Sequence, residues 1–155
     1  MRSLLVAIIS SIILLFSSFV SWYEGSALLT TSWEWEDTAI FTKMVKGTID
    51  SPTAILPIDH FVFAAKFSPF FPLLMLVSGF LLLWQAVSWL GKDNRLLMSI
   101  FYGFTLFSSI FVIFLVKDSP TNGLQMLSCF FLVLAALSLG LIVRLTMGRV
   151  RNSSL

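Results

Sequence analysis

The chain has 155 residues, 57% of them hydrophobic and 12% charged, with a formal net charge of +2. Soluble domains are about one quarter charged, so a mean hydropathy of +0.94 places this chain among integral membrane proteins. The small, scattered positive charge excludes a nucleic-acid footprint. The lone Cys129 excludes an intramolecular disulfide, a paired-cysteine redox motif and a cysteine metal site.

The first apolar run, residues 4–21, is long enough to cross a bilayer as a helix, which takes about 20 residues. It follows Met1-Arg2, so a cleaved leader is the alternative. The length of the run, the aromatic pair Trp22-Tyr23 at the expected interface, and the lack of a small-x-small site before Gly25-Ser26-Ala27 favour a retained span.

A long connection, residues 22–69, follows. It holds Glu24, Glu34, Glu36, Asp37, Asp50 and Asp59, six of the eight acidic residues. Within it, "TTSWEWEDTAIF" alternates Trp and Glu, which is a strand period. Competing signals favour a helix from Ser32 to Lys46. Thr31 and Glu34 have capping-box spacing, and Glu34, Glu36 and Asp37 oppose the dipole at its start. Lys43, Lys46 and Gly47 mark its end. On this reading Trp33, Ile40, Phe41 and Met44 face inward, and Glu34, Glu36 and Lys43 face water. Asp37 then interrupts the apolar face, and it either turns aside or meets Lys66. The segment "PIDHFVFAAKF" reads as a second short helix or extended piece, with Asp59 as a candidate N-cap.

Span two, residues 70–90, opens with Pro69 and Pro72 in its first turn, where proline is tolerated, and with Ser68 as a candidate N-cap. Span three covers residues 96–116 and span four residues 124–145. The polar links "GKDNR" and "KDSPTNG" between them force antiparallel neighbours. Ala7-xxx-Ser11, Ser99-xxx-Gly103 and Ala136-xxx-Gly140 place small residues four apart, a spacing that lets helices approach closely. The predicted fold is therefore all-α and integral to the membrane. It is a four-transmembrane-helix bundle with an extracytoplasmic loop between spans one and two that contains one or two short helices.

Direction follows from the distribution of Lys and Arg. Arg2, Lys92, Arg95, Arg144, Arg149 and Arg151 fall on one side. Lys66 and Lys117 fall on the other, with Lys43 and Lys46 further out. Both termini are expected in the cytoplasm of a cell whose plasma membrane the chain crosses.

Four spans with a large first outer loop resemble the claudin arrangement, but that family's loop pairs its tryptophan motif with two cysteines. Trp33 and Trp35 are present here and the cysteines are not. The stretches "SWYEGSALL", "WEWEDTAIFT" and "DHFVFAAKFSPFFP" resemble a family of small uncharacterised four-span membrane proteins from Bacillus-type bacteria. That resemblance implies a bacterial plasma membrane and supplies no activity.

The spans carry no ionisable side chain at mid-depth, where transport pathways place them. Chemistry would therefore lie in the outer loop. A divalent metal at His60 with Asp59, Glu34, Glu36 and Asp37 lacks the patterned ligands that zinc favours. A His60 base acting on Ser51, Thr53 or Ser68 lacks a motif. No catalytic, cofactor or metal residue is assigned. The candidate outer-loop interaction surface is Trp33, Glu34, Trp35, Asp37, Asp59, His60 and Lys66. Its expected partners are the lipid bilayer and a membrane or extracytoplasmic protein, or a second copy of the chain. The expected role is non-enzymatic partner docking. The alternatives are a small oligomeric transporter or channel component, although Glu24 sits only at the outer edge, and a membrane enzyme at the outer interface.

Overall fold

The computed structural model describes residues 2–91 and 94–153, with side-chain exposure given for residues 3–91 and 94–147. Lys92 and the side chains of Arg2, Arg149 and Arg151, four of the six cations used to orient the chain, lie outside the described residues. The elements are α1 (Arg2–Gly25), α2 (Trp35–Thr38), α3 (Ile40–Lys46), α4 (Pro57–Phe67), α5 (Phe70–Leu90), α6 (Arg95–Val116) and α7 (Asn122–Ser153). Short 3₁₀ turns lie at Ser26–Thr30, Ser32–Glu34 and Pro52–Ala54. Among the described residues there is no strand, so the alternating Trp-Glu stretch does not pair as a sheet.

Four helical stretches are long and apolar enough to cross a membrane: Ser3–Thr30, Phe70–Leu90, Arg95–Val116 and Asn122–Met147. The second agrees with the sequence boundary to the residue. The first and last run longer than expected. Helix α1 continues through the aromatic pair into a 3₁₀ turn, and α7 continues past Arg144, because no proline follows Pro120 to stop it.

Helix α1 lies along α5, and α6 lies along α7, while α4 touches α1, α5 and α7. The buried faces of the long helices are rich in hydroxyls: Ser10, Ser17, Ser78, Thr105, Ser109 and Ser138. Several are satisfied within their own helix. Ser17 Oγ donates to the Ile13 carbonyl at 2.7 Å, Ser78 to Leu74 at 2.8 Å and Thr105 to Phe101 at 2.9 Å. At these three positions a small hydroxyl side chain allows close helix contact with its polar group paired, whereas Ser109 Oγ is buried without a partner among the described residues. Between helices, Trp84 Nε1 donates to the Tyr102 hydroxyl at 3.1 Å, and Gln85 Nε2 donates to the Ser3 carbonyl at 2.6 Å.

The small-residue spacing at Ala136 and Gly140 does not mark the inward face of α7. Both residues are exposed, and a Cβ added at Gly140 would meet nothing. The buried residues are Leu134 and Ser138, about 200° round the helix at roughly 100° per residue. Close backbone approach occurs instead at Gly25, where an added Cβ would land on the His60 carbonyl. It occurs again at Gly123, where one would land on the Ala65 and Lys66 carbonyls.

Candidate functional site: a cap held by helix α4

The loop between α1 and α5 folds into a cap whose apolar centre is Leu28, Ala39 and Ile55, flanked by Leu29, Trp35, Ile49 and Phe63. Trp35 Nε1 donates to the Leu28 carbonyl at 2.8 Å and ties α2 to the 3₁₀ turn after α1. Most of what holds the cap comes from α4.

Asp59 lies in the first turn of α4 and is fully buried. It does not cap α4, which begins at Pro57 after an extended Leu56. Its carboxylate reaches across to α3. Oδ1 accepts from the Phe41 amide at 2.9 Å, and Oδ2 accepts from the Thr42 amide at 2.9 Å and the Thr42 hydroxyl at 2.6 Å. The Thr42 hydroxyl in turn accepts from the Leu56 amide at 2.8 Å. A buried carboxylate thus serves as the N-terminal cap of a helix 17 residues away, satisfying amides that have no partner within the helix. Ser68 likewise does not cap α5; its amide closes α4 on the Ala64 carbonyl at 2.7 Å.

At the other end of α4, Lys66 Nζ lies 2.6 Å from Glu34 Oε2, with both side chains largely buried. Thr38 Oγ1 donates to the same oxygen at 2.7 Å. Burial pushes the Glu34 carboxyl up. The hydrogen bonds from Lys66 and Thr38 and the lysine charge together outweigh it and hold the carboxyl below its ordinary value.

His60 is buried, not solvent-facing. Its ring lies 5.8 Å from that of Trp22, and both ring nitrogens are without a hydrogen-bond partner among the described residues. Burial lowers its pKa, although the neighbouring Asp59 charge opposes that shift. Ser21 Oγ and Glu24 Oε2 on α1 are also buried without partners among the described residues. No group of three His, Cys, Asp or Glu that could hold a metal is found among the described residues. The hydroxyls of Ser51 and Thr53 bond each other at 2.9 Å.

The expected Ser32–Lys46 helix is broken into a 3₁₀ turn, α2 and α3, with the kink at Ala39 (φ −83°, ψ 56°). The capping box does not form, because Glu34 turns to Lys66 and Thr38. Thr31 Oγ1 donates instead to the Ala27 carbonyl. Gly47 ends α3 at φ +81°, a conformation that favours glycine. The apolar face points outward and Glu34 inward, the reverse of expectation, while Glu36 and Lys43 are exposed as expected. Glu34, Thr38, Ala39 and Thr42 are buried, while Trp33 is 73% and Met44 78% exposed, and Ile40, Phe41 and Val45 are also exposed. Lys66 does link the cap to the foot of α5, but through Glu34; Asp37 is exposed.

The seven residues read from sequence as one surface therefore separate. Glu34, Asp59 and His60 are interior, Trp35 and Lys66 are half-buried, and Trp33 and Asp37 lie on the surface. The sequence reading missed the outward placement of Ile40, Phe41, Met44 and Val45 and the interior hydroxyls of Thr38 and Thr42. The spacing Glu34-xxx-Thr38-xxx-Thr42 was the available signal. Beside α3, a cleft of about 340 Å³ is lined by residues including Trp35, Glu36, Lys43 and Asp50. Lys43 Nζ donates to the Glu36 carbonyl at 2.8 Å.

A family model described as "Domain of unknown function (DUF4306)" matches residues 4–91, which take in α1, the cap and α5. The "Uncharacterized protein YjdJ" of Bacillus subtilis (strain 168) is 35% identical over 71 residues, covering 44% of this chain and 65% of that protein. The match thus spans just under two thirds of that relative's length. No solved structure matches. Every cap contact described above falls within 4–91 except that of α4 with Gly123.

Proposed function

The chain belongs to the DUF4306 family, and from that premise we propose that it is a four-span plasma-membrane protein whose outer cap docks a protein partner. Both termini lie in the cytoplasm, and the cap lies outside. The positive-inside rule supports this direction through Arg95 and Arg144, which sit at the opposite end of the long helices from the cap.

One observation carries the docking role. Helix α3 has its polarity inside out: Thr42 is buried on Asp59, while Ile40, Phe41, Met44 and Val45 are exposed. Positions 40 and 44, and 41 and 45, are neighbours on a helix surface, so these side chains form one apolar face. Exposed apolar faces held by a polar interior mark interaction sites. The exposed charges nearby are Glu36, Asp37 and Asp50 against Lys43 and Lys46. That acidic excess suits a protein surface better than acidic lipid headgroups.

A photoreactive amino acid at Met44 or Val45 tests this in intact cells, with Thr53 as an exposed control. The reading expects a discrete protein adduct at positions 44 and 45, absent at 53 and abolished by Ile40→Asp. Adducts to lipid alone, or equal labelling at Thr53, would overturn it.

A further inference from the structure

We infer that the ends of α6 and α7 remote from the cap form a binding site for the phosphate of an anionic phospholipid. Two clefts meet at Arg95. One, of about 370 Å³, is lined by Arg95, Leu96, Ser99, Leu145 and Thr146. The other, of about 300 Å³, is lined by Arg95, Met98, Tyr102, Leu141, Arg144 and Leu145. Two guanidinium side chains therefore line one cleft. Guanidinium presents a planar fork of donors that matches phosphate oxygens. The Tyr102 hydroxyl accepts from Trp84 Nε1 and keeps its own proton to donate. Among the described residues, no carboxylate lines either cleft.

The remaining lining residues are the hydroxyl-bearing Ser99 and Thr146 and the apolar Leu96, Met98, Leu141 and Leu145, the last four of which suit an acyl chain beside the headgroup. Depth agrees with this assignment. From Asn122, where α7 begins, to Arg144 the helix rises about 33 Å at roughly 1.5 Å per residue. That is close to the hydrocarbon thickness of about 30 Å, which sets both arginines at the far headgroup level. Basic pockets between helices at that level bind acidic headgroups. The site rests on the four-span reading given above.

The test uses the full chain in lipid nanodiscs containing equal phosphatidylglycerol and phosphatidylcholine, with retained lipid measured by native mass spectrometry. Retained phosphatidylglycerol should exceed phosphatidylcholine. Arg95→Gln/Arg144→Gln should lower its retention at least tenfold with helical circular dichroism unchanged. Arg95→Lys/Arg144→Lys should fall between, since charge persists and the fork is lost. Equal retention of the two lipids, or an unchanged Gln variant, would overturn the site. Displacement by excess inorganic phosphate would also overturn it, by assigning the arginines to a soluble anion. A chain that never enters the nanodisc would refute the four-span reading itself, whereas an inserted chain without headgroup preference refutes only this site.

Discussion

Asp59→Ala removes one acceptor group from three donors: the Phe41 amide, the Thr42 amide and the Thr42 hydroxyl. A hydrogen bond to a charged group contributes about 1.5–3 kcal/mol. The three share one carboxylate and do not add fully, so the low end for each gives a cost of about 4 kcal/mol. Such a loss corresponds to roughly a 10³-fold change in the opening equilibrium of α3, at about 1.4 kcal/mol per tenfold. Hydrogen exchange reads it directly, because the amides of Phe41 and Thr42 exchange only when α3 leaves the carboxylate. Protection at these two positions should fall by about that factor, or to the unprotected limit if the parent cap is less stable. Asp59→Asn keeps one carbonyl acceptor and should lose roughly half as much free energy. Asp37→Ala, at an exposed site, should change nothing. Protection in Asp59→Ala within a factor of two of the parent would refute the claim that Asp59 caps α3.

Lys66→Met leaves Glu34 buried without its cation and should cost about 3–5 kcal/mol, while Lys66→Met/Glu34→Gln should recover much of that loss; thermal melts in detergent measure the cycle. Gly25→Ala and Gly123→Ala should destabilise by about 1–3 kcal/mol or more through backbone overlap, whereas Gly140→Leu should melt like the parent because its Cβ meets open space. Acid should loosen the cap. His60 has a folded pKa below 6.5, so the unfolded cap gains a proton first, and stability present above pH 6.5 is lost as pH falls from there through the folded value. Glu34 has a folded pKa below 4.5, so its contribution is present above pH 4.5 and is lost below it. Denaturant midpoints should be lower at pH 5.5 than at 7.5, and His60→Phe should remove that difference while leaving the loss below 4.5; a cap more stable at pH 5.5 would refute the His60 assignment, and no loss below pH 4.5 would refute that of Glu34.

The long helices were legible because crossing length and composition are properties of the local sequence, and Phe70–Leu90 emerged with its exact bounds. The cap was legible only in part. Local signals from Thr31 to Gly47 agree on one helix, but Lys66, 32 residues from Glu34, draws that carboxylate inward. Asp59 supplies a start for α3 that no neighbouring residue offers. An apolar stripe states its period and not its direction. Trp33, Ile40, Phe41 and Met44 read as inward by the usual rule for surface helices. The polar stripe Glu34, Thr38 and Thr42 points inward instead, because its partners sit on α4. The same limit applies to α7, where small-residue spacing picked Ala136 and Gly140 and the buried stripe is Leu134 and Ser138.

Impermeant maleimide labelling of single cysteines in intact cells, with Cys129 replaced by serine, measures whether the cap faces outward on a four-span chain. Met44→Cys on α3 should label at once, and Thr146→Cys, lining the cleft beside Arg95, should label only after the membrane is permeabilised. Labelling of both positions from outside, or of Thr146→Cys alone, would mean that the helices do not cross as proposed and that the apolar face of α3 does not face a partner outside the cell.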